Sequence, residues 1–207
     1  MNKTIIAVLI LFLATNIIAK NAQSEKKIDA FSSSVKYERS KDYDNAIKEI
    51  QNIYSEYKDD YLVNIRLGWL YYLNNKQDLS IKYYSEAIRL SDNSIEGLLG
   101  LTLPYSAKED WVKVKDIYEN ILSKDPYNYT ANINLGQIYL NKKDYLNAKK
   151  FFTTVYNNYP GDYTACLYLG WTYYYLGSNS NAEQLFTDTL ILDPNNTSAT
   201  KGLALVK

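Results

Sequence analysis

Histidine is absent from the chain, and cysteine occurs once, at Cys166. The first absence excludes imidazole bases, Ser-His and Cys-His nucleophiles and imidazole metal ligation. The second excludes an internal disulfide and a thiolate zinc site, so stability has to come from packing. Cys166 lies within the apolar helix pattern of 163–176 and is expected to be buried and inert. An excess of either charge is also missing, since 23 Lys and Arg balance 23 Asp and Glu. Nothing supplies the basic footprint that a phosphate backbone demands, and nucleic acid is not an expected partner. Only eight glycines and four prolines occur, and no phosphate loop or dinucleotide fingerprint is formed. Phenylalanine is scarce, at five, against 22 tyrosines. Each phenol brings a large ring and a hydroxyl that needs a partner, so many of these rings should sit half-buried.

One apolar run stands out, Ile5 to Ala19, interrupted by Thr15 and Asn16, preceded by Lys3 and followed by a polar stretch to Lys27. It falls short of the roughly 20 residues that cross a bilayer. The pattern is that of a secretory signal peptide, residues 1–22, cleaved after Ala19 or Ala22. No cysteine follows it to carry a lipid, so a soluble mature protein in the periplasm or outside the cell is expected. Residues 23–26 are then a short linker.

The remainder is periodic. Gly68, Gly136 and Gly170, each after a leucine, lie 68 and then 34 residues apart. At that step Tyr37, Tyr71, Tyr105, Tyr139 and Tyr173 fall in register, as do Tyr84, Tyr118, Phe152 and Phe186, and Pro126, Pro160 and Pro194. A small residue recurs at Ala46, Ser80, Ala148 and Ala182, broken by Val114. Within the second unit, Ile65, Leu67, Trp69, Leu70, Tyr71 and Leu73 make one helix, and the spacing of Ile81, Tyr84, Ala87 and Ile88 makes a second. Asp42, Asp110, Asp144 and Ser178 recur between paired helices, with Lys76 the exception, and are predicted amino-terminal caps. Asp-Pro at 125 and 193 and Tyr159-Pro160-Gly161 stop the second helix.

These positions resemble the tetratricopeptide repeat family, whose unit carries Leu-Gly, Tyr, Ala, an aromatic and Pro in this order. The resemblance covers Lys27 to Asn196 in five units, 27–60, 61–94, 95–128, 129–162 and 163–196, with 197–207 as a closing helix. It implies an all-α, right-handed helical-hairpin solenoid, whose hairpins bury their apolar faces only by stacking. Two departures stand out. Pro104 falls inside a first helix, where a kink is expected. Ser33-Ser34 replaces Leu and a small residue in the first unit, as suits an end unit facing water.

Acidic pairs such as Asp59-Asp60 and Glu109-Asp110 fall at junctions, where carboxylates act as caps or solvated loop residues, and no enzyme, cofactor or metal is expected. Asn128, Asn195 and Asn196 match the glycosylation acceptor pattern, which matters only in a eukaryotic source. The resemblance points instead to binding on the concave face lined by first helices. Carried over, that face comprises Phe31, Val35, Ile65, Trp69, Tyr72, Leu99, Leu103, Ile133, Gln137, Leu140, Leu167, Trp171 and Tyr174. The basic clamp by which some family members grip acidic chaperone tails is missing, since its positions hold Phe31, Val35, Arg66, Glu96 and Gly100. Trp69-Leu70-Tyr71-Tyr72 and Trp171-Thr172-Tyr173-Tyr174 are near copies, with Tyr71 and Tyr173 assigned to the core and Trp69, Tyr72, Trp171 and Tyr174 to the face. A non-catalytic scaffold for a peptide or protein segment is the leading expectation. The alternatives are a carbohydrate-binding module, with Gln137 and Asn141 as the polar groove candidates, and a subunit that associates with itself.

Overall fold

The computed structural model describes residues 23–207. The expected signal peptide, 1–22, lies outside the described residues. Among those described there are eleven helices and no strand. They fall into two compact units that meet in sequence at Glu109 and Asp110. No described helix is long and apolar enough to cross a membrane.

The first unit holds α1 (helical from 23 to 39), α2 (Tyr43–Tyr57), α3 (Tyr61–Leu73), α4 (Gln77–Leu90) and α5 (Ile95–Ala107). The second holds α6 (Trp111–Lys124), α7 (Tyr129–Asn141), α8 (Tyr145–Asn158), α9 (Tyr163–Tyr175), α10 (Asn179–Leu192) and α11 (Thr197–Val206). Residues 23–26, read from sequence as a linker, are already helical. No proline or glycine interrupts them, and the Tyr57 hydroxyl donates to the Gln23 carbonyl while Lys26 pairs with Glu56.

Local chemistry sets the helix ends. Each odd-numbered helix from α3 onward begins after a residue whose side chain accepts an amide N–H three residues on. These caps are Asp60, Ser94, Asn128, Asp162 and Asn196. Such a cap is worth about 1 kcal/mol. Asn128 and Asn196, both in glycosylation-type motifs, are thereby accounted for structurally. Asp42, Asp110 and Asp144 cap α2, α6 and α8 as expected. Ser178 does not cap α10, because its hydroxyl accepts from Asn181 Nδ2 instead. The residue before each of these second caps sits in the left-handed region: Lys41 (φ 61°), Asn75 (54°), Glu109 (57°), Lys143 (60°) and Gly177 (75°). α5 continues unbroken through the buried Pro104.

In the first unit Ile50, Val63, Leu67 and Leu70 are fully buried, each contributing roughly 1.5–3 kcal/mol. Tyr71 and Tyr83 stack at 5.3 Å, and both hydroxyls accept from Gln51 Nε2. Glycine lets the second-helix aromatic approach the first helices: the Tyr84 ring presses on Gly68 and Gly100. Ser34 is buried rather than facing water, because its hydroxyl accepts from the Arg66 guanidinium at 3.0 and 3.1 Å.

In the second unit Phe152 packs on Gly136, and Phe186 is held between Gly170 and Gly202, so α11 covers a ring that α9 and α10 leave open. Cys166 is fully buried, its Sγ 3.8 Å from the Pro160 carbonyl. Burial pushes its thiol up to about 11, with the Asp188 charge adding to the effect. Asn64 and Asn132 hold the same register position, and each donates to the two corresponding carbonyls.

Candidate functional site

The candidate residues lie on α1, α3 and α5 in the first unit and on α7 and α9 in the second. All but one are half-buried, with one side against the core and the other accessible. Ile133 is the exception. It is 7% exposed and packs with Ala148, Phe152 and Val155, because α8 closes over it, so it belongs to the core and not to the face. Tyr71 is core as expected, and Tyr173 is half-buried beneath Lys149, whose ammonium stands 4.9 Å from the ring centre.

In the first unit Trp69 lies 5.7 Å from Tyr72, and its indole N–H donates to Glu38 at 2.7 Å. Glu38 also pairs with Arg66. A shallow hollow of 770 Å³ opens on α1, lined by Phe31, Val35, Lys36 and Arg39 with two serines. Ile65, Leu99 and Leu103 do not line it.

In the second unit a cleft of 650 Å³ is lined by Leu140, Asn141, Lys143, Tyr145, Tyr168, Trp171, Tyr175 and Ser198. Three rings form a continuous aromatic wall. Tyr145 stacks on Tyr175 at 4.9 Å and 12°, and Tyr175 on Trp171 at 6.0 Å and 29°. Phe186 braces Trp171 edge-on at 5.1 Å, and Tyr168 stacks on Phe152. Of the residues expected from sequence only Leu140 and Trp171 reach this cleft, together with Asn141 from the carbohydrate alternative. Tyr174 packs against Trp171 and Leu167 against the Phe186 cluster, while Gln137 lies outside it.

The residues that sequence reasoning passed over are Lys143, Tyr145, Tyr168, Tyr175 and Ser198. Lys143 sits in the turn between α7 and α8, Tyr145 is the first residue of α8 and Ser198 lies in the first turn of the closing helix α11, so no reading confined to the first helices of the five units selects them. The two near-identical Trp segments also differ in their setting. Trp171 donates to Ser198 on the following helix at 2.9 Å, whereas Trp69 donates back to Glu38. The register explains this: Leu140 stands where Glu38 does and cannot accept, and Ser198 stands where Glu96 does.

Among the described residues no group of three or more Cys, Asp or Glu side chains converges as a metal site would require. The cleft offers apolar ring faces, one ammonium, one amide and several hydroxyls, and no carboxylate.

Two family models described as tetratricopeptide repeat match the chain, at residues 36–95 and 129–162. No curated protein matches it in sequence. Solved structures do. A tetratricopeptide repeat protein from Parabacteroides merdae ATCC 43184 superposes with a TM-score of 0.75 at 16% identity, covering 88% of this chain and 72% of its own. MamA gives a TM-score of 0.69 at 17% identity, covering 83% and 93%. YrrB, described as a TPR protein with an unusual peptide-binding site, gives 0.67 at 14% identity, covering 90% and 95%. Identities this low speak for fold alone. With family matches at residues 36–95 and 129–162 and first helices that begin every 34 residues from Tyr61 to Thr197, the chain carries tetratricopeptide repeats and has the all-α helical-hairpin solenoid fold.

Proposed function

We propose that this protein is an exported, non-catalytic interaction scaffold that holds a peptide or protein segment against the first helices of its hairpins. The observation that carries the reading is the aromatic cleft at Trp171, a concavity of 650 Å³ in the range of about 300–1,000 Å³ usual for binding pockets. Its rings are held by stacking and by the bond from Trp171 to Ser198, so little order has to be created on binding. Rigid aromatics of this kind dominate interface energetics. YrrB, similar in fold, is described as having a peptide-binding site, which is consistent with this use.

Hydrogen exchange of the mature protein, with and without a partner captured from the native extract, tests the proposal. Protection on α7, α9 and α11 that is lost in Tyr175→Ala supports it. Protection confined to second helices counts against it. Export is tested by amino-terminal sequencing of the native protein, with residue 20 or 23 expected first, and an intact Met1 terminus on protein inside the cell overturns it. Self-association is the second reading, favoured by Trp111, Val112 and Leu146, which are 50%, 68% and 73% exposed at the starts of α6 and α8. Sedimentation that depends on concentration and is abolished by Leu146→Lys would establish it.

A further inference from the structure

We infer that the segment held by the second unit is acidic, with an apolar side chain seated against the Tyr145, Tyr175 and Trp171 wall and a carboxylate beside it on Lys143. The inference rests on the scaffold reading and names the chemistry of the partner. Its first ground is charge. The chain as a whole is balanced, yet α7, α9 and α11 contain no Asp or Glu, while Lys142 and Lys143 follow α7 directly and Lys201 lies on α11. The carboxylates of this unit's helices sit instead on α6 and α10, as Asp116, Glu119, Glu183 and Asp188.

The second ground is the state of Lys143. Many cations of the chain are engaged: Lys26, Lys27, Arg66, Lys76, Arg89 and Lys115 are all in ion pairs. Lys143 lines the cleft with no ion pair or hydrogen bond to its side chain among the described residues. Its backbone is fixed, with φ at 60° and its N–H donating to Leu140 at 2.9 Å, so the side chain leaves the turn from a set point at the cleft. Lys143 is exposed, so its ammonium is open to an anion that reaches the ring wall, with an attraction that salt screens.

The third ground is the donor balance. Ammonium, amide and hydroxyl groups line the cleft, and the Trp171 N–H is already spent on Ser198. A basic segment finds no carboxylate to meet it. A sugar finds stacking faces and the Asn141 amide, but no carboxylate, the acceptor to which its hydroxyls bond most strongly. The hollow on α1 in the first unit has the same makeup, Phe31 and Val35 beside Lys36 and Arg39, again without a carboxylate.

The test is selection of a random peptide library displayed on phage against the mature protein, followed by titration of selected peptides onto wild type, Lys143→Glu, Lys143→Gln and Tyr175→Ala. Circular dichroism checks each variant, and both positions are exposed enough to be changed without opening the core. The expected result is enrichment of Asp and Glu next to aromatic or aliphatic residues, and affinity that falls as salt rises. Lys143→Glu should weaken the selected peptides by about tenfold or more, with Lys143→Gln intermediate. Basic or uncharged peptides that bind equally to wild type and Lys143→Glu but lose affinity in Tyr175→Ala overturn the acidic inference and leave the scaffold reading standing. No enrichment at all, or binding of an oligosaccharide probe alone, overturns both.

Discussion

Gly136→Ala offers the sharpest test of how this fold is packed. A methyl placed on Gly136 would meet Phe152 Cε1 at 2.4 Å, Cζ at 2.7 Å and Cδ1 at 2.8 Å. The ring has nowhere to retreat: it is fully buried, and Tyr168 stacks on it at 5.3 Å and 12°. Overpacking of this kind costs about 1–3 kcal/mol, and the rigid surroundings place it in the upper half of that range. Alanine returns about 1 kcal/mol through its better helix propensity, which leaves a net loss of about 1–2 kcal/mol. For a unit of this size each kcal/mol moves the melting temperature by about 4–8 °C. Two further glycines complete a graded series. At Gly170 the nearest ring atoms lie at 3.0 and 3.1 Å, so alanine there should be close to neutral, and at Gly161 nothing lies within 4 Å. Melting followed by circular dichroism should therefore rank Gly136→Ala below Gly170→Ala, and Gly170→Ala below Gly161→Ala. Phe152→Leu should recover part of the Gly136→Ala loss in a double-mutant cycle. If Gly136→Ala melts at or above the temperature of Gly161→Ala, close packing on glycine is not what this position requires.

The left-handed turn positions give an opposed pair: Lys41→Gly should raise stability by about 0.5–1 kcal/mol and Gly177→Ala lower it by about 1 kcal/mol, both read from thermal melts. At the caps, Asp144→Ala should cost about 1 kcal/mol, Ser178→Ala almost nothing, and Lys76→Asn should strengthen α4, as urea melts would report. Cys166 should resist thiol reagents until the protein unfolds. Its thiol ionises near 9.0 when free and near 11 when buried, so the folded state holds the proton more tightly and stability falls as pH rises through that window. Tyr71 and Tyr84, also raised by burial, add to this at higher pH. Cys166→Asn should remove the early part of the fall and change stability at neutral pH by less than about 1 kcal/mol. It can form the bonds that Asn64 makes, but it risks the unpartnered amide oxygen that Asn64 also carries. Identical slopes for wild type and Cys166→Asn between pH 9 and 10 would refute the assignment.

Helix content, the 34-residue period, the stop signals at proline and three of the four predicted side-chain caps were legible from sequence, because each depends on residues a few positions apart. Local order of that kind repeats whenever the pattern repeats. The second series of caps, Asp60 to Asn196, was equally local and was visible at the same step, but it lay under the repeat boundaries and was not read as capping. The burial of Ser34 was not legible, since it depends on Arg66 reaching across from the next hairpin. Nor was the departure of Ile133 from the exposed face, which depends on how closely α8 approaches.

The candidate site divides in the same way. The sequence alone determined which helix faces carry aromatic residues and that α7, α9 and α11 bear no carboxylate, since repeat register and composition are properties of the chain. Only the tertiary structure decided that the cleft gathers Lys143, Tyr145, Tyr168, Tyr175 and Ser198 around Trp171, and that the two Trp segments differ in their bonds. Concavity and pairing arise where separate helices converge, and residues on α7, α8, α9, α11 and a turn come within reach only once the hairpins have packed.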